Sequence, residues 1–211
     1  MKIAIFHHCV LKGPRIPSEQ HAFEIMFEQM HALWVSGLEM HADEIHLGMN
    51  GEGEVICPTK TVIHRHPDGQ TEIPTLKVLQ DWLRPGWRVL YTHSKGASYP
   101  LEHTFPDHWR RCMERGVVWN WRGCMSEMDV GIESCGCHWL TPERWGSIVK
   151  TPFWGGTFWW ATSDYLMTLP PLPEDKWENR HEAESWIGRG PRRPKIKDWH
   201  PQWPGASCSS S

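Results

Sequence analysis

The stretch Arg88-Val89-Leu90-Tyr91-Thr92-His93-Ser94-Lys95-Gly96-Ala97-Ser98 decides the fold class. It opens as a short apolar run rich in β-forming residues, the pattern of a buried strand, and breaks at once into His93, Ser94, Lys95 and a glycine. Charged and hydrogen-bonding groups that end a buried strand stand at the carboxyl edge of a sheet, where open α/β folds bind their ligands. His93 and Lys95 are two residues apart, so a continuing strand turns both to one face. That face is expected to meet the phosphates of a bound nucleotide. The alternative is an ordinary surface loop with one solvated lysine.

Upstream of this stretch, Lys2 to Phe6 predicts a first strand that stops at His7-His8-Cys9. Ser18 is placed to cap a helix carrying Ala22, Phe23, Ile25, Met26, Met30 and Leu33, which ends near Ser36-Gly37. Strands are expected at Glu44–Gly48 and Thr61–His64, a turn at Pro67-Asp68-Gly69, and a helix over Pro74–Leu83. The order β-α-β-β-α-β favours an α/β sandwich with a largely parallel sheet. Downstream, Phe105 to Met128 reads as helical with bends near Gly116 and Gly123. Asp129–Trp139 and Phe153–Trp160 read as strands, Ser163–Leu169 as a short helix and Arg180–Gly188 as a charged helix burying Ala183, Trp186 and Ile187. Beyond Gly190 the chain is Pro-rich and basic and reads as an arm. The expected division is one domain over 1–190 and a tail over 191–211.

A chain of 211 residues is long enough to bury a sizeable core in one domain. A formal net charge of −3 excludes a surface built throughout for nucleic acid, so any such contact must be a local patch. No apolar run approaches the roughly 20 residues of a membrane span. The first eight residues are too short for a signal peptide, so the seven cysteines read as reduced thiols of a cytoplasmic protein. Fifteen tryptophans are too many for the core alone, and some are expected to line a pocket and stack on a sugar or base.

Several groups could carry chemistry. Gly155-Gly156-Thr157-Phe158-Trp159-Trp160 sets two glycines beside bulky rings, either for close approach of a ligand or for a bulge in an aromatic core. On a helix Arg180 and Glu184 lie one turn apart, and a carboxylate pinned there can act as a general base. Cys135-Gly136-Cys137-His138 and His7-His8-Cys9 lack the two-to-four-residue spacing of zinc ligands. The phosphate-binding loops G-x-G-x-x-G and G-x-x-x-x-G-K-S/T are absent, as is any Asp-x-Asp pair to hold a metal-bound diphosphate.

Four ordered segments carry a resemblance: Tyr91-Thr92-His93-Ser94-Lys95-Gly96-Ala97-Ser98, Gly136-Cys137-His138-Trp139, Gly155-Gly156-Thr157-Phe158-Trp159-Trp160 and Arg180-His181-Glu182-Ala183-Glu184-Ser185-Trp186-Ile187-Gly188. They resemble the H-T-K-G-A-S, G-N-F-W-W and R-x-E-A-E-x-W-I-G elements of small bacterial and phage glycosyltransferase-like proteins of the GT-A type. The resemblance implies a single-domain GT-A-like (Rossmann-like) α/β/α sandwich with a mostly parallel central sheet. It also implies transfer of a sugar from a nucleotide-sugar donor, UDP-linked by expectation, to a hydroxyl acceptor. That acceptor is a glycan or polysaccharide, or a hydroxylated base in phage DNA, the latter supported by Arg189, Arg192, Arg193, Lys195 and Lys197 with Trp199 and Trp203.

Within this picture His93, Ser94, Lys95, His7, His8 and Arg180 would contact the donor and its diphosphate, with the loop from His7 to Lys12 bordering the base. Gly155, Gly156, Trp159 and Trp160 would face the acceptor, and Glu184 or Glu182 would act as base, with Glu184 preferred. Most GT-A enzymes hold the diphosphate through a metal, Mn²⁺ or Mg²⁺, on an Asp-x-Asp. Here His93-Ser94-Lys95 stands in that position, and the lysine ammonium would substitute for the metal. No obligate protein partner is expected, and the location would be the cytoplasm of a bacterium or phage-infected cell. The competing reading is a non-catalytic nucleotide-sugar or carbohydrate-binding module on the same fold.

Overall fold

The structure is a computed structural model that describes residues 1–13, 16–67, 71–100, 104–145, 149–172 and 180–200; the side chains of Thr104, Trp145 and Arg180 are not among the parts described. Its core is a seven-stranded sheet. The strands in chain order are β1 (Lys2–Val10), β2 (Glu44–Asn50), β3 (Thr61–His66), β4 (Trp87–His93), β5 (Ser134–Gly136), β8 (Trp159–Thr162) and β9 (Ile196–Asp198), arranged 3-2-1-4-8-5-9. Strands β3, β2, β1 and β4 run parallel, and β8 is antiparallel to both β4 and β5. A separate two-stranded ribbon pairs β6 (Trp139–Leu140) with β7 (Phe153–Trp154). The expected α/β sandwich with a mostly parallel sheet is the observed one.

Each face of the sheet is an apolar layer, as buried parallel strands require. One face carries Ile3, Ile5, Ile45, Leu47, Leu90 and Trp160 against helix α1 (Glu19–Val35) and helix α5 (Trp121–Asp129). The other carries Ala4, Phe6, Val89, Tyr91 and Trp159 against helix α3 (Ile73–Trp82) and helix α8 (Arg180–Trp186). Ser18 caps α1, its hydroxyl accepting from the His21 amide at 3.2 Å. Ala183, Trp186 and Ile187 are buried, as the pattern of α8 predicts.

Several expectations give way. Strand β1 does not stop at Phe6 but continues to Val10, because His7 and His8 find buried hydroxyl partners in Thr92 and Thr75, each at 2.8 Å. The helical region after residue 104 divides into α4 (Thr104–Glu114), a π-helical turn (Arg115–Trp119) and α5, so the irregularity sits at the π turn and Gly123 lies inside a regular helix. The expected strand Asp129–Trp139 shrinks to β5 plus β6, and Phe153–Trp160 divides into β7 and β8 in different sheets. The arm expected beyond Gly190 contributes β9, the far edge strand, whose Asp198 accepts from the amides of His138 and Trp139 at 2.9 Å each. Residues 68–70 and 201–211, with the expected turn and Trp203, lie outside the described part.

Most described tryptophans build the core; Trp154, Trp159, Trp160 and Trp186 are among the largest fully buried side chains. Among the described residues Cys9, Cys57, Cys124, Cys135 and Cys137 are free thiols. Among the described residues no helix is long and apolar enough to cross a membrane.

Candidate functional site

Strand β1 is followed by β2 and β3 on one side and by β4 on the other, so the sheet reverses direction of growth between β1 and β4. The carboxyl ends of these two strands flank the topological switch point where open α/β sheets bind ligands. Strand β4 ends there at His93, with Ser94 and Lys95 just beyond. Ser94 seals the seam: its amide donates to the His8 carbonyl at 2.9 Å, and its hydroxyl accepts from the Val10 amide at 3.1 Å. Ser94 is therefore a buried strut between β1 and β4.

His93 donates from Nε2 to the Gly156 carbonyl at 2.8 Å and sets its ring edge-on to Phe158. Gly156 has φ +92°, a left-handed backbone that side chains rarely adopt, and a Cβ there would stand 2.6 Å from Met113 Sδ and 3.4 Å from Lys95 Cε. The Lys95 ammonium lies 3.9 Å from the centroid of the half-buried Trp109 ring, a cation–π contact, and the same ring lines Gly155. The end of β4 and the Gly-Gly segment are thus one continuous structure. Trp159 and Trp160 do not join it. They point to opposite faces of β8 into the two cores, Trp159 stacked on Tyr91 and Trp160 donating to the Val117 carbonyl at 2.7 Å. Their expected place facing the acceptor is corrected by that burial.

The Lys95 loop is held from beneath. Arg110, 1% exposed, donates from Nη1 to the Lys95 carbonyl at 3.2 Å and to Asp107 Oδ1 at 2.7 Å. Its Nη2 donates to Glu28 Oε2 at 2.6 Å, and its Nε lies 3.5 Å from Glu114. Burial pushes the Glu114 carboxyl up to about 7 despite the nearby guanidinium. Gln29 adds a bond to the His93 carbonyl at 2.9 Å. None of these supports stands within two residues of the motif in sequence, which is why sequence pattern missed them.

On the opposite wall, α8 packs beside α3 and β7. A Cβ at Gly188 would stand 1.7 Å from the Pro152 carbonyl oxygen, so only glycine allows the helix end to approach this backbone. Gly188→Ala is expected to displace α8 and lower Tm by several degrees in calorimetry, while an exposed control such as Val130→Ala changes it little.

Glu184 is partly buried and pairs with His181 at 3.5 Å, and Glu182 pairs with Arg189 at 2.5 Å. Arg180 begins α8, but its side chain is outside the described part, so the expected pairing with Glu184 is not described. Glu184 acts electrostatically on Glu72, a residue that sequence reasoning passed over. Glu72 stands at the N-terminus of α3, 7% exposed, and Thr157 Oγ1 donates to its Oε1 at 3.4 Å. Burial, then the Glu184 charge, raise its carboxyl to about 8, while Tyr91, Lys95 and Thr157 pull the other way.

Residues 11–202, which contain every element of this site except β1, match the family described as Domain of unknown function (DUF8361). The chain belongs to the DUF8361 family. No curated protein matches it. Among solved structures it is similar to Rv0371c from Mycobacterium tuberculosis H37Rv, at 14% identity over 94% of this chain and 89% of that one, with a TM-score of 0.42. The Rv0371c homolog from Mycobacterium sp. strain JC1 is 10% identical over 95% and 89%, TM-score 0.38. A hypothetical transferase from Thermus thermophilus is 14% identical over 81% and 69%, TM-score 0.36.

In this DUF8361 chain, His7 and His8 are fully enclosed in β1, and burial lowers the His7 imidazole to about 3 and that of His8 well below its usual value. They are strand-interior residues and not the base-bordering loop expected. The basic stretch is also neutralised in place: Arg192 pairs with Glu133, Arg193 with Glu143 and Lys197 with Glu127 at 3.0 Å. Trp199 packs against the core. Among the described residues no cluster of three or more His, Cys, Asp or Glu is arranged to hold a metal ion. The donors at the end of β4 do not suit a divalent cation either, since His93 Nε2 donates to a carbonyl and Lys95 is itself a cation. What the site combines is the Lys95 ammonium, the Glu184 side chain and the buried Glu72 carboxyl near the carboxyl end of β4.

Proposed function

We propose that this DUF8361 chain transfers a sugar from a nucleotide-sugar donor to a hydroxyl acceptor. The observation that carries the reading is the joining of Lys95 to the Gly155-Gly156 segment at the β1/β4 switch point, with Glu184 close enough to act on the same cluster. The motif resemblance gives these segments a common chemistry. For transfer with inversion, the acceptor O–H loses its proton to Glu184 as its oxygen bonds the anomeric carbon. The anomeric carbon–oxygen bond to the diphosphate breaks, and the diphosphate leaves with the electron pair. Lys95 neutralises that growing charge where Mg²⁺ or Mn²⁺ would otherwise do so. The paired state of Arg192, Arg193 and Lys197 favours a glycan or another free hydroxyl acceptor over duplex DNA, whose binding needs unneutralised cations.

The test is a thermal-shift screen of nucleotide-sugars with EDTA and with Mn²⁺. A UDP-linked sugar is expected to raise Tm in EDTA by roughly 5–10 °C at a hundredfold excess over Kd, and Lys95→Met to remove most of that rise. A screen in which no nucleotide-sugar shifts Tm contradicts the reading. A donor that binds but is never consumed identifies a binding module instead.

A further inference from the structure

Helix α1 is apolar on both sides. Ala22, Ile25, Met26, Met30 and Leu33 face the core, but the outward face carries Phe23, Phe27 and Trp34 along one stripe. Phe27 is 50% exposed and Trp34 66%. A helix that is hydrophobic all round belongs between two apolar layers, and the sheet supplies only the inner one. The stripe forms one wall of a groove of about 440 Å³, with Ile56 and Pro58 of the β2–β3 connection on the other wall. The rings along it brace one another: Phe27 stacks on His31 with centroids 6.2 Å apart, and His31 meets Trp34 edge-on at 5.8 Å. Phe23, Phe27, Trp34 and Ile56 together present on the order of 400 Å² of apolar side chain, a large patch for a monomer. Helix α1 contains no Lys or Arg, and Glu19 and Glu24 lie on its exposed side, so anionic lipid head groups and nucleic acid are disfavoured there.

We propose that this face joins two copies of the chain, with the two α1 helices antiparallel across a two-fold axis at Phe27. The stripe is self-complementary in that arrangement. Phe23 of one copy comes opposite His31 of the other and enters its groove between Phe27 and Trp34. Trp34 in turn lies over Gln20 and Phe23 of the first. Each copy thus offers one knob and one hole, and the two insertions are equivalent by symmetry. Charge agrees with shape. The exposed acids Glu19 and Glu24 stand in the N-terminal half of the helix, and Glu24, which accepts from Gln20 Nε2 at 2.8 Å, comes beside the imidazole of His31 in the second copy. Antiparallel helices also set opposite ends of their dipoles side by side. With its polar flanks the pairing buries on the order of 1,000 Å² in total, at the lower limit for a specific interface, which implies a micromolar dimer. The inference does not depend on the nucleotide-sugar reading.

Sedimentation of the full chain across the micromolar range tests this. The wild type is expected to pass from monomer to dimer mass as concentration rises. Phe27→Glu sets two carboxylates against each other at the axis and should weaken the dimer at least about 30-fold. Phe27 is half exposed, so Tm should hold. Val130→Glu, at an exposed apolar position on another element, should leave the dimer unchanged. His31→Glu places like charges against Glu24 of the second copy and should weaken the dimer about tenfold, and adding Glu24→Lys should restore it. Should Phe27→Glu fail to fold, His31→Glu and its rescue decide alone. A wild type that stays monomeric at hundreds of micromolar overturns the inference, as does a dimer that Phe27→Glu leaves intact or a His31→Glu defect that Glu24→Lys does not repair. A monomer whose groove takes up a hydrophobic dye, lost in Phe27→Glu, gives the groove to a small apolar ligand and overturns it too.

Discussion

Arg110→Met is expected to destabilise the fold by about 3–5 kcal/mol, the largest effect of any single substitution considered for this chain. The guanidinium is almost completely enclosed and serves Glu28, Asp107, Glu114 and the Lys95 carbonyl at once. Methionine fills the space but leaves the acids without their cation and the carbonyl without its donor. The cost then comes from the enclosed Glu114 carboxyl and the Lys95 carbonyl losing their partner and not from lost volume. A chemical denaturation curve checks it, and the informative comparison is Arg111→Met. Arg111 also reaches Glu28, at 3.0 Å, but is mostly exposed, so its loss should cost below about 1 kcal/mol. Equal effects of the two would mean that Arg110 is not the keystone of this loop. Because Arg110 grips the main chain at Lys95, even a folded variant should lose the nucleotide binding proposed for this site.

The second large effect is on the pH dependence of stability. His7, His8, His46, His64 and His66 are all held below their usual pKa, with burial the largest cause in each. An unfolded histidine takes up a proton below about 6.5. The folded chain refuses it, so stability is lost as pH falls from 6.5 towards the native values. For His7 alone, lowered to about 3 in a fully enclosed position, the loss at pH 5 is about 2 kcal/mol. Glu72 and Glu114 act with the opposite sign. They keep their protons to about 8 and about 7 in the folded chain but ionise near 4.5 when unfolded, so their contribution is lost as pH rises through that window. Five histidines outweigh two carboxyls below pH 6.5, and the carboxyls prevail above neutrality. Tm by calorimetry is therefore expected to peak close to pH 7 and to fall steeply towards pH 5. His7→Gln should flatten the acid side; a Tm independent of pH from 5 to 7 would show that these rings are not held neutral.

The legible parts of the fold are those where one periodicity or one cap suffices. Ser18 signals its helix because a hydroxyl there has a backbone amide to satisfy, and Ala183, Trp186 and Ile187 mark one face of α8. The end of β4 is legible because buried strands seldom stop in three polar residues without a use for the edge. His7 and His8 mislead for the converse reason: a polar pair reads as a strand exit unless Thr92 and Thr75, 85 and 67 residues away, are known to meet it. Phe153–Trp160 looks continuous because two separate aromatic strands abut in sequence, and only the positive φ of Gly156 and Thr157 turns the chain between sheets. Strand β9 is short and flanked by prolines, so nothing local distinguishes it from a tail. Glu72 is hidden most completely, since an acid just before a helix ordinarily faces solvent and favours the helix dipole. Its burial depends on Tyr91, Thr157 and α8, none of them local.

The central claim is that the end of β4 and α8 perform one reaction, and the release of UDP from a UDP-sugar measures it most directly. Donor found by thermal shift should be turned over by the wild type with its acceptor. Glu184→Gln should bind that donor with near-normal affinity yet lose turnover by about 10²-fold or more, as for a missing general base. Lys95→Met should lose both. Wild-type turnover in Glu184→Gln and in Lys95→Met would contradict the account.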